Sequence, residues 1–571
     1  MLNYAIAEIF YNVADILEML GVAWKPIAYR KAARQLESLS RDVKDIYAEG
    51  SVGAIREIPS IGEALAQKIV QYIETGKINE YEKLKAQLPE GLARLLEIES
   101  IGPKRAAILY RKLKIKSIDD LKNAIKENKI AKLAGFGLKS QQNIAAGLDM
   151  LRKGKERLTL GEVIQIAQEI TSILKKVSGV EQAIPAGSVR RWKETVGDLD
   201  ILVISKAAEK VMDVFTKMPS VQRVLAKGNT KSTVVLKNGL QTDVRVLEKK
   251  SFGAALNYFT GNKDHNVALR RIAIEKGYKL SEYGLFGRKS GRFVAGRTEE
   301  ELYKKLGLPY IEPELRETRG ELDAARKGAL PRLIKLSDIR GDFHTHTRWS
   351  DGVNTIEQMA RAAQALGHEY ICISDHSKTT AVAHGLDIER LEKQIAEIKK
   401  LQKQFKIKIF SGSEVDILGN GELDFPDEIL KKLDVVIGSV HSGFKSPREK
   451  MTARIVAALQ NKYLDILGHP TGRLINVRNP YEVDLKKVFD VAAQNKKIME
   501  IDAHPARLDL KDEHILLAKQ YGLKFAIDSD AHSTDQLNLL YFGVHTARRG
   551  WLEAKDVVNT YKLSELKKFL H

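Results

Sequence analysis

One cysteine, Cys372, stands in a chain of 571 residues, so no intramolecular disulfide can staple the fold. That excludes a disulfide-rich secreted scaffold and fits a reducing cytoplasm, the expected location. Long apolar runs are missing too: none is long enough to span a bilayer, so no membrane partner is expected. The opening stretch MLNYAIAEIFYNVADILEML repeats at helical spacing and holds Glu8, Asp15 and Glu18. It lacks the basic n-region and cleavage site of a signal peptide. Histidine is nearly absent before residue 340, where His265 stands alone among the 13 in the chain. What is present is a globular composition, 43% hydrophobic and 29% charged, over a length that predicts roughly three to five domains. A net charge of +19 favours a polyanionic partner.

The stretch GSVRRWKETVGDLDILV, from Gly187 to Val203, organises the middle of the chain. Asp198 and Asp200 open an apolar strand, and residues i and i+2 of a strand face the same way, so both carboxylates can share a divalent cation. Gly187 and Ser188 form a small-residue turn before Arg190 and Arg191, residue types suited to phosphate oxygens. Downstream, Asn238-Gly239 between apolar runs predicts a hairpin whose second strand, QTDVRVL, brings in Asp243. Three carboxylates are what a two-metal phosphoryl-transfer site needs. Joining a 3'-hydroxyl to an α-phosphate builds charge on the entering and leaving oxygens, and two Mg²⁺ or Mn²⁺ ions roughly 4 Å apart stabilise both. Such hard ions prefer carboxylates and water to imidazole or thiolate.

In the first 150 residues, IPSIGEALAQKI, IESIGPKRAAIL and LAGFGLKSQQNI repeat one pattern: an apolar residue, a turn closing on Gly62, Gly102 or Gly137, then an amphipathic helix. They resemble helix-hairpin-helix motifs, whose helix starts offer free N–H groups to the DNA backbone without reading bases. AYRKAA with IPSIGEALAQKIVQYIETGK resembles the lyase domain of DNA polymerase beta. That resemblance makes Lys68 a candidate Schiff-base nucleophile on an abasic sugar, with Lys31 nearby; a solvated lysine touching phosphate is the competing reading.

The segment NYFTGNKDHNVALRRIAIEKGYKLSEYGLF resembles the thumb of the DNA polymerase X family, with the YFTG signature intact. The resemblance implies that Asp198 and Asp200 bridge both metals while Asp243 holds the one on the primer side. It gives the nucleotide's phosphates to Gly187, Ser188 and Arg191. It places Tyr258, Phe259 and Gly261 beside the incoming sugar, Asn266 at the minor-groove edge of the base, and Arg270 on the template. Gln241 departs from the arginine of the family's vertebrate repair member, which alters the hydrogen bonding expected near the primer end.

Beyond residue 340, GDFHTH, YICISDH, KIFSGSE, DVVIGSVH, YLDILGH, IMEIDAH and KFAIDSDAH are short apolar runs, each ending in His, Asp or Glu. Helical stretches separate several of them, which indicates a parallel sheet or barrel with its strand ends on one face. His344, His346, Asp351, His376, Glu414, His441, His469, Asp530 and His532 would meet there, a mixed donor set suited to Mn²⁺ or Zn²⁺. The region resembles the PHP (polymerase and histidinol phosphatase) domain, a distorted (β/α)7 barrel holding three divalent metals. The resemblance groups the ligands as His344, His346, Glu414 and Asp530; then Glu414, His441 and His469; then Asp351, His376 and His532. His504 reads as a strand-end residue or phosphate contact, and His384 as a loop residue near substrate.

The expected architecture is multidomain, α and α/β: a helical lyase-like domain at 1–85, helix-hairpin-helix fingers at 86–150, a nucleotidyltransferase palm with mixed sheet at 151–250, a thumb at 251–315, a linker at 316–340 and the PHP barrel at 341–571. This order resembles prokaryotic family X DNA polymerases. It implies a monomeric DNA-directed DNA polymerase acting on gapped or primer-template DNA and dNTPs, filling short gaps in base-excision repair. The PHP domain would add 3'-5' exonuclease or 3'-end-processing activity, with abasic-site cleavage or lyase activity as further options. The alternative is a PHP phosphoesterase whose polymerase half mainly positions DNA.

Overall fold

Alternating burial divides the chain into helical, mixed and parallel-sheet regions. The computed structural model describes residues 2–39, 43–86, 101–138, 140–145 and 157–571, together with positions 95, 98 and 148. Helices Leu2–Met19, Lys25–Ser38, Val43–Arg56, Glu63–Thr75 and Asn79–Ala86 close on a core that includes Ile6, Phe10, Leu36, Ile55 and Ile69. A second core, around Ile101, Ala106, Leu109 and Leu121, unites Pro103–Leu113 with Ile118–Lys126. Gly62 and Gly102 cap the starts of Glu63–Thr75 and Pro103–Leu113 in extended conformation, with open space where a side chain would stand. Gly137 has φ +73°, and part of the helix expected after it lies outside the described residues. No described helix is long and apolar enough to cross a membrane.

The palm begins with β1 (Leu158–Thr159) and a helix, Leu160–Lys175, started by a capping box between Thr159 and Glu162. Next come β2 (Val180–Pro185), β3 (Thr195–Val196), β4 (Asp198–Ser205), β5 (Val221–Lys227), β6 (Lys231–Leu236) and β7 (Gln241–Leu247). β1 pairs with β3, and the main sheet runs β2-β4-β7-β6-β5. Only the β4–β7 pair is parallel. Asn238-Gly239 closes the β6–β7 hairpin, with Gly239 at φ +87°.

The thumb packs helices Phe252–Thr260, Lys263–Glu275 and Glu299–Lys305 around the antiparallel strands β8 (Tyr278–Ser281), β9 (Gly284–Gly287) and β10 (Phe293–Ala295). Gly253 lets the first of these helices touch the chain at Thr298, where an added Cβ would lie 2.2 Å from the Thr298 carbonyl carbon. The segment after it has little apolar periodicity because ion pairs bury it: Arg316 is fully buried against Glu299, and Glu321 against His265.

The C-terminal region is a sheet of seven strands in chain order: β11 (Gly341–Asp342), β12 (Tyr370–Ile373), β13 (Lys408–Asp416), β14 (Val435–Ser439), β15 (Ile466–Leu467), β16 (Ile498–Asp502) and β17 (Lys524–Asp528). All neighbours are parallel. A bridge between Thr345 and Ala531 brings the two edges together, so the sheet is a nearly closed barrel. Phe343, Tyr370, Cys372, Phe410 and Ile437 fill its interior. The lone cysteine is therefore a buried packing residue. The palm core also continues into this region, where Ile475, Leu508 and Phe542 join it.

Two candidate metal centres

Parallel pairing of β4 with β7 sets Asp200 opposite Asp243 and Asp198 opposite Gln241. The three carboxylates thus lie on two adjacent inner strands, at their amino-terminal ends. Burial, then the charges of Asp198 and Asp243, push Asp200 up to about 6. Asp243 is paired by Lys231 at 2.8 Å and approached by Arg245 at 3.9 Å, yet its Oδ1 is buried without a hydrogen bond. Crowded like charges and an orphaned carboxylate oxygen fit a site built for divalent cations.

Gly187, at φ +63°, opens the one-turn helix Gly187–Arg190, and an added Cβ there would lie 3.6 Å from Asp200 Oδ2 and 3.9 Å from the Phe259 carbonyl oxygen. The turn, the carboxylates and the YFTG helix therefore meet at one point. Ser188 is half-buried beside them. Arg190 donates to Thr260 Oγ1 at 2.6 Å and pairs with Glu299, while Arg191 donates to the Thr260 carbonyl and pairs with Glu317 at 2.9 Å. Both guanidiniums are spent on fixing the YFTG turn rather than left open. Tyr258 is exposed, and Phe259 packs on it edge-on and beneath Arg245, 4.5 Å from the ring centroid. Asn266 is buried and donates to the Tyr258 carbonyl at 2.7 Å; Arg270 is half-buried on the same helix. Between β7 and the thumb sheet opens a cavity of about 770 Å³, lined by Lys231, Arg245, Phe259, Tyr283 and Phe293 among others. Lys68, in the helical region, pairs with Glu80 at 3.0 Å, and Tyr29 donates to the same carboxylate.

The barrel's histidines and acids sit at the carboxyl ends of its strands, where a parallel barrel gathers its functional groups. Their donor atoms form three overlapping groups: His344, His346 and Asp530; His346, Asp351, His376 and His532; and His376, Glu414 and His441. Glu414 lies at the centre, 2.8 Å from His469 Nε2, 3.1 Å from His441 Nε2 and 2.8 Å from His376 Nδ1. His344 Nε2, both ring nitrogens of His346, and Glu414 Oε2 are buried without hydrogen bonds. Burial, His532 and His376 push His346 down to about 4, and burial with Arg507 pushes His469 down to about 3, so both rings are neutral donors at neutral pH. Burial would raise Glu414 and Asp530, but the surrounding histidines hold both carboxyls well below their usual range. The carboxylates of the cluster in turn raise His344, His376 and His532 against the effect of burial. Ionised carboxylates ringed by imidazoles, with orphaned buried atoms among them, fit a cluster of divalent cations that would replace those protons.

Residues 1–78 match a helix-hairpin-helix domain and 92–149 a SAM-like helix-hairpin-helix tandem. Residues 157–276 match the DNA polymerase beta palm, 255–317 its thumb and 342–504 the PHP domain. The DNA polymerase/3'-5' exonuclease PolX of Bacillus subtilis (strain 168) is 37% identical over 569 residues, covering 99% of this chain and 98% of the relative. The chain belongs to the family X DNA polymerases that carry a PHP domain. A probable phosphatase of Thermoanaerobacter sp. (strain X514) is 31% identical over 40% of this chain and 93% of its own length. DNA polymerase lambda of Arabidopsis thaliana is 28% identical over 55% of this chain and 62% of its own length.

In this family X polymerase, three residues of the barrel site escaped the sequence reading. Glu500 accepts from His344 Nδ1 at 2.6 Å and from the His469 backbone N–H, so it orients two candidate ligands at once. Arg507 lies 3.2 Å from Asp502 and 3.5 Å from Asp530. The available signal was a pair of acids, Glu500 and Asp502, inside an otherwise apolar strand of IMEIDAH. His504 points its Nδ1 to the Ala506 backbone N–H, and His384 caps a short turn at φ +56°.

Proposed function

We propose that the chain is a template-directed DNA polymerase that fills short gaps during repair, with a PHP domain that trims or cleans 3' ends as a 3'-5' exonuclease. The observation that carries this reading is the register that sets Asp200 opposite Asp243, with Asp198 two residues along, under the YFTG helix. Asp198, Asp200 and Asp243 would hold Mg²⁺ or Mn²⁺, which when bound lowers the pKa of the primer hydroxyl and neutralises charge on the phosphates. Gly187 and Ser188 bring backbone and hydroxyl donors to the phosphates. Tyr258 and Phe259 offer a face to the sugar, and Asn266 holds that face by its bond to the Tyr258 carbonyl.

In the barrel, His344, His346, Asp351, His376, Glu414, His441, His469, Asp530 and His532 would hold three Mn²⁺ or Zn²⁺ ions, which supply an activated water for phosphodiester hydrolysis. Lys68 is the candidate Schiff-base nucleophile for a lyase step on an abasic sugar, which would require it to leave its pair with Glu80. The helical hairpins at Gly62 and Gly102 supply the grip on the DNA backbone, with open helix starts and no base-reading groups required.

The test separates the two centres. Asp198→Ala should lower primer extension at least about 1,000-fold and spare 3'-end degradation, since a lost metal ligand removes several kcal/mol of transition-state stabilisation. His344→Ala should do the reverse. Loss of both activities in either variant defeats the two-centre reading, and retained extension in Asp198→Ala defeats the polymerase assignment.

A further inference from the structure

The barrel domain reaches the polymerase site through a buried chain of charges that lies outside its groups of candidate metal ligands. Arg549 ends the helix Leu540–Arg549 of the barrel, and only 3% of its side chain is exposed. Its guanidinium donates to the Arg191 carbonyl at 2.5 Å and to Glu317 at 3.1 Å, and pairs with Asp512. Glu317 in turn holds Arg191, and Arg191 donates to the Thr260 carbonyl of the YFTG turn. The same face of the barrel stacks His545 flat on Trp192, centroids 3.5 Å apart, and pairs Arg473 with Glu194 at 2.8 Å. Residues 191–194 are the loop between the phosphate turn and Asp198. The Arg191 carbonyl, the Trp192 ring and the Glu194 carboxylate of that loop are therefore gripped from the barrel side, while the Arg191 and Lys193 side chains reach Glu317.

We propose that Arg549 is a positioning residue for DNA synthesis: held by Asp512, it locks Glu317 and the Arg191 backbone so that the phosphate turn and the YFTG turn keep the geometry that binds the incoming nucleotide. This rests on the reading above that these two turns form the dNTP site. Arg549 touches neither nucleotide nor reacting atoms. Its effect passes through Arg191, whose backbone and guanidinium it and Glu317 clamp from two sides. Glu317 is held by Arg549, Arg191 and the more distant Lys193 at 3.6 Å, so removing Arg549 leaves a buried carboxylate to compete for the Arg191 guanidinium and shifts the Thr260 carbonyl.

The experiment uses the full chain and steady-state extension of a gapped primer-template, with 3'-end degradation assayed on the same preparations. Arg549→Met should raise the KM for dNTP about tenfold while kcat and degradation stay within about twofold, because the loss is in nucleotide positioning. Arg549→Lys should recover part of the KM, since an ammonium reaches one of the two carboxylates but not both. Asp512→Asn should move KM in the same direction by a smaller factor, and it with Arg549→Lys carries the test if Arg549→Met does not yield soluble protein. An unchanged KM, a fall in kcat alone, or a parallel loss of degradation shows that Arg549 only holds the fold and overturns the proposal. Asp198→Ala is run alongside: if it still extends primers, the underlying site assignment fails, whatever Arg549 does.

Discussion

Glu500 shows how much of the hydrolytic centre depends on residues that hold ligands rather than act as them. Its two oxygens accept from the His344 ring and from the His469 backbone N–H, tying together imidazoles from opposite sides of the barrel. An amide at this position keeps the shape but offers one acceptor to two donors. Glu500→Gln is expected to weaken Mn²⁺ binding by about 10- to 100-fold, the usual cost of losing such a partner. Titration of the apo chain with Mn²⁺ followed by electron paramagnetic resonance reads this directly. Unchanged affinity would mean that the rings orient themselves. A similar support exists at Asp375, which accepts from the Thr347 N–H and hydroxyl, Ser350 and Gln394, and so pins the loop that carries Asp351.

At the level of elements, the seam between β11 and β17 is not a strand ladder: it is closed by the Thr345–Ala531 bridge and by side chains, Asp528 accepting from the Phe343 N–H and Asp342 from Ser529. Asn559 also closes it: its Oδ1 accepts from the Ile527 N–H at 2.7 Å, and its amide donates to the carbonyls of Ile527 and Gly341 at 3.0 and 3.1 Å. Asn559→Ala strands buried backbone groups on both edges, each at a cost of about 1–3 kcal/mol. Hydrogen exchange should speed up at the β11 and β17 amides by at least about tenfold and stay unchanged in the palm. Uniform exchange across the chain would place the seam's strength elsewhere. No local pattern announces Asn559, a single polar residue in a turn. The candidate ligands stood out in the sequence because most sit at a repeated local position, acids two apart in β4 or donors just past the end of a barrel strand; Asp351, on a loop, was reached only through the SDG motif. The thumb was legible from YFTG and the residues after it. What stayed hidden has a common cause. Trp192 on His545, Leu508 in the palm core and Arg316 under Glu299 are contacts between distant segments. The segment at 316–340 reads as a connector for the same reason: Arg316 and Glu321 are buried against distant partners, and its buried apolar residues, Ala325, Leu333 and Ile334, are too few to make a periodic pattern.

For the whole molecule, two opposed chemistries share one framework, and the joint between them is electrostatic as well as apolar. Burial alone would push Glu317 up, but Arg549, Arg191 and Lys193 hold it at about 2; likewise His545 and Arg548 hold Glu314 at about 2. Glu314 would return to about 4.5 where the joint opens, since His545 and Arg548 both lie on the barrel helix, and so contributes roughly 3 kcal/mol to closure at neutral pH; Glu317 keeps Arg191 and Lys193 and contributes only the part that Arg549 adds. Because the closed-state values are depressed, that contribution is complete above pH 4.5 and falls away as the pH drops towards 2. His545 acts in the same sense: burial against Trp192 pushes it down despite Glu314, so the open state takes up a proton first as the pH falls below 6.5. Acid should therefore part the palm from the barrel before either core melts, because the apolar part of the joint is a small set of side chains, Ile475, Leu508, Leu539, Tyr541 and Phe542 with Trp192 stacked on His545, beside the charged pairs that acid neutralises. Hydrogen exchange along Leu540–Arg549, compared at pH 7 and pH 4 after correction for intrinsic rates, should show this helix losing protection ahead of β4 and β7. Glu314→Gln should weaken the joint already at pH 7 and flatten its dependence on pH. Equal protection loss in the helix and the palm strands would instead mean that the two regions unfold as one unit.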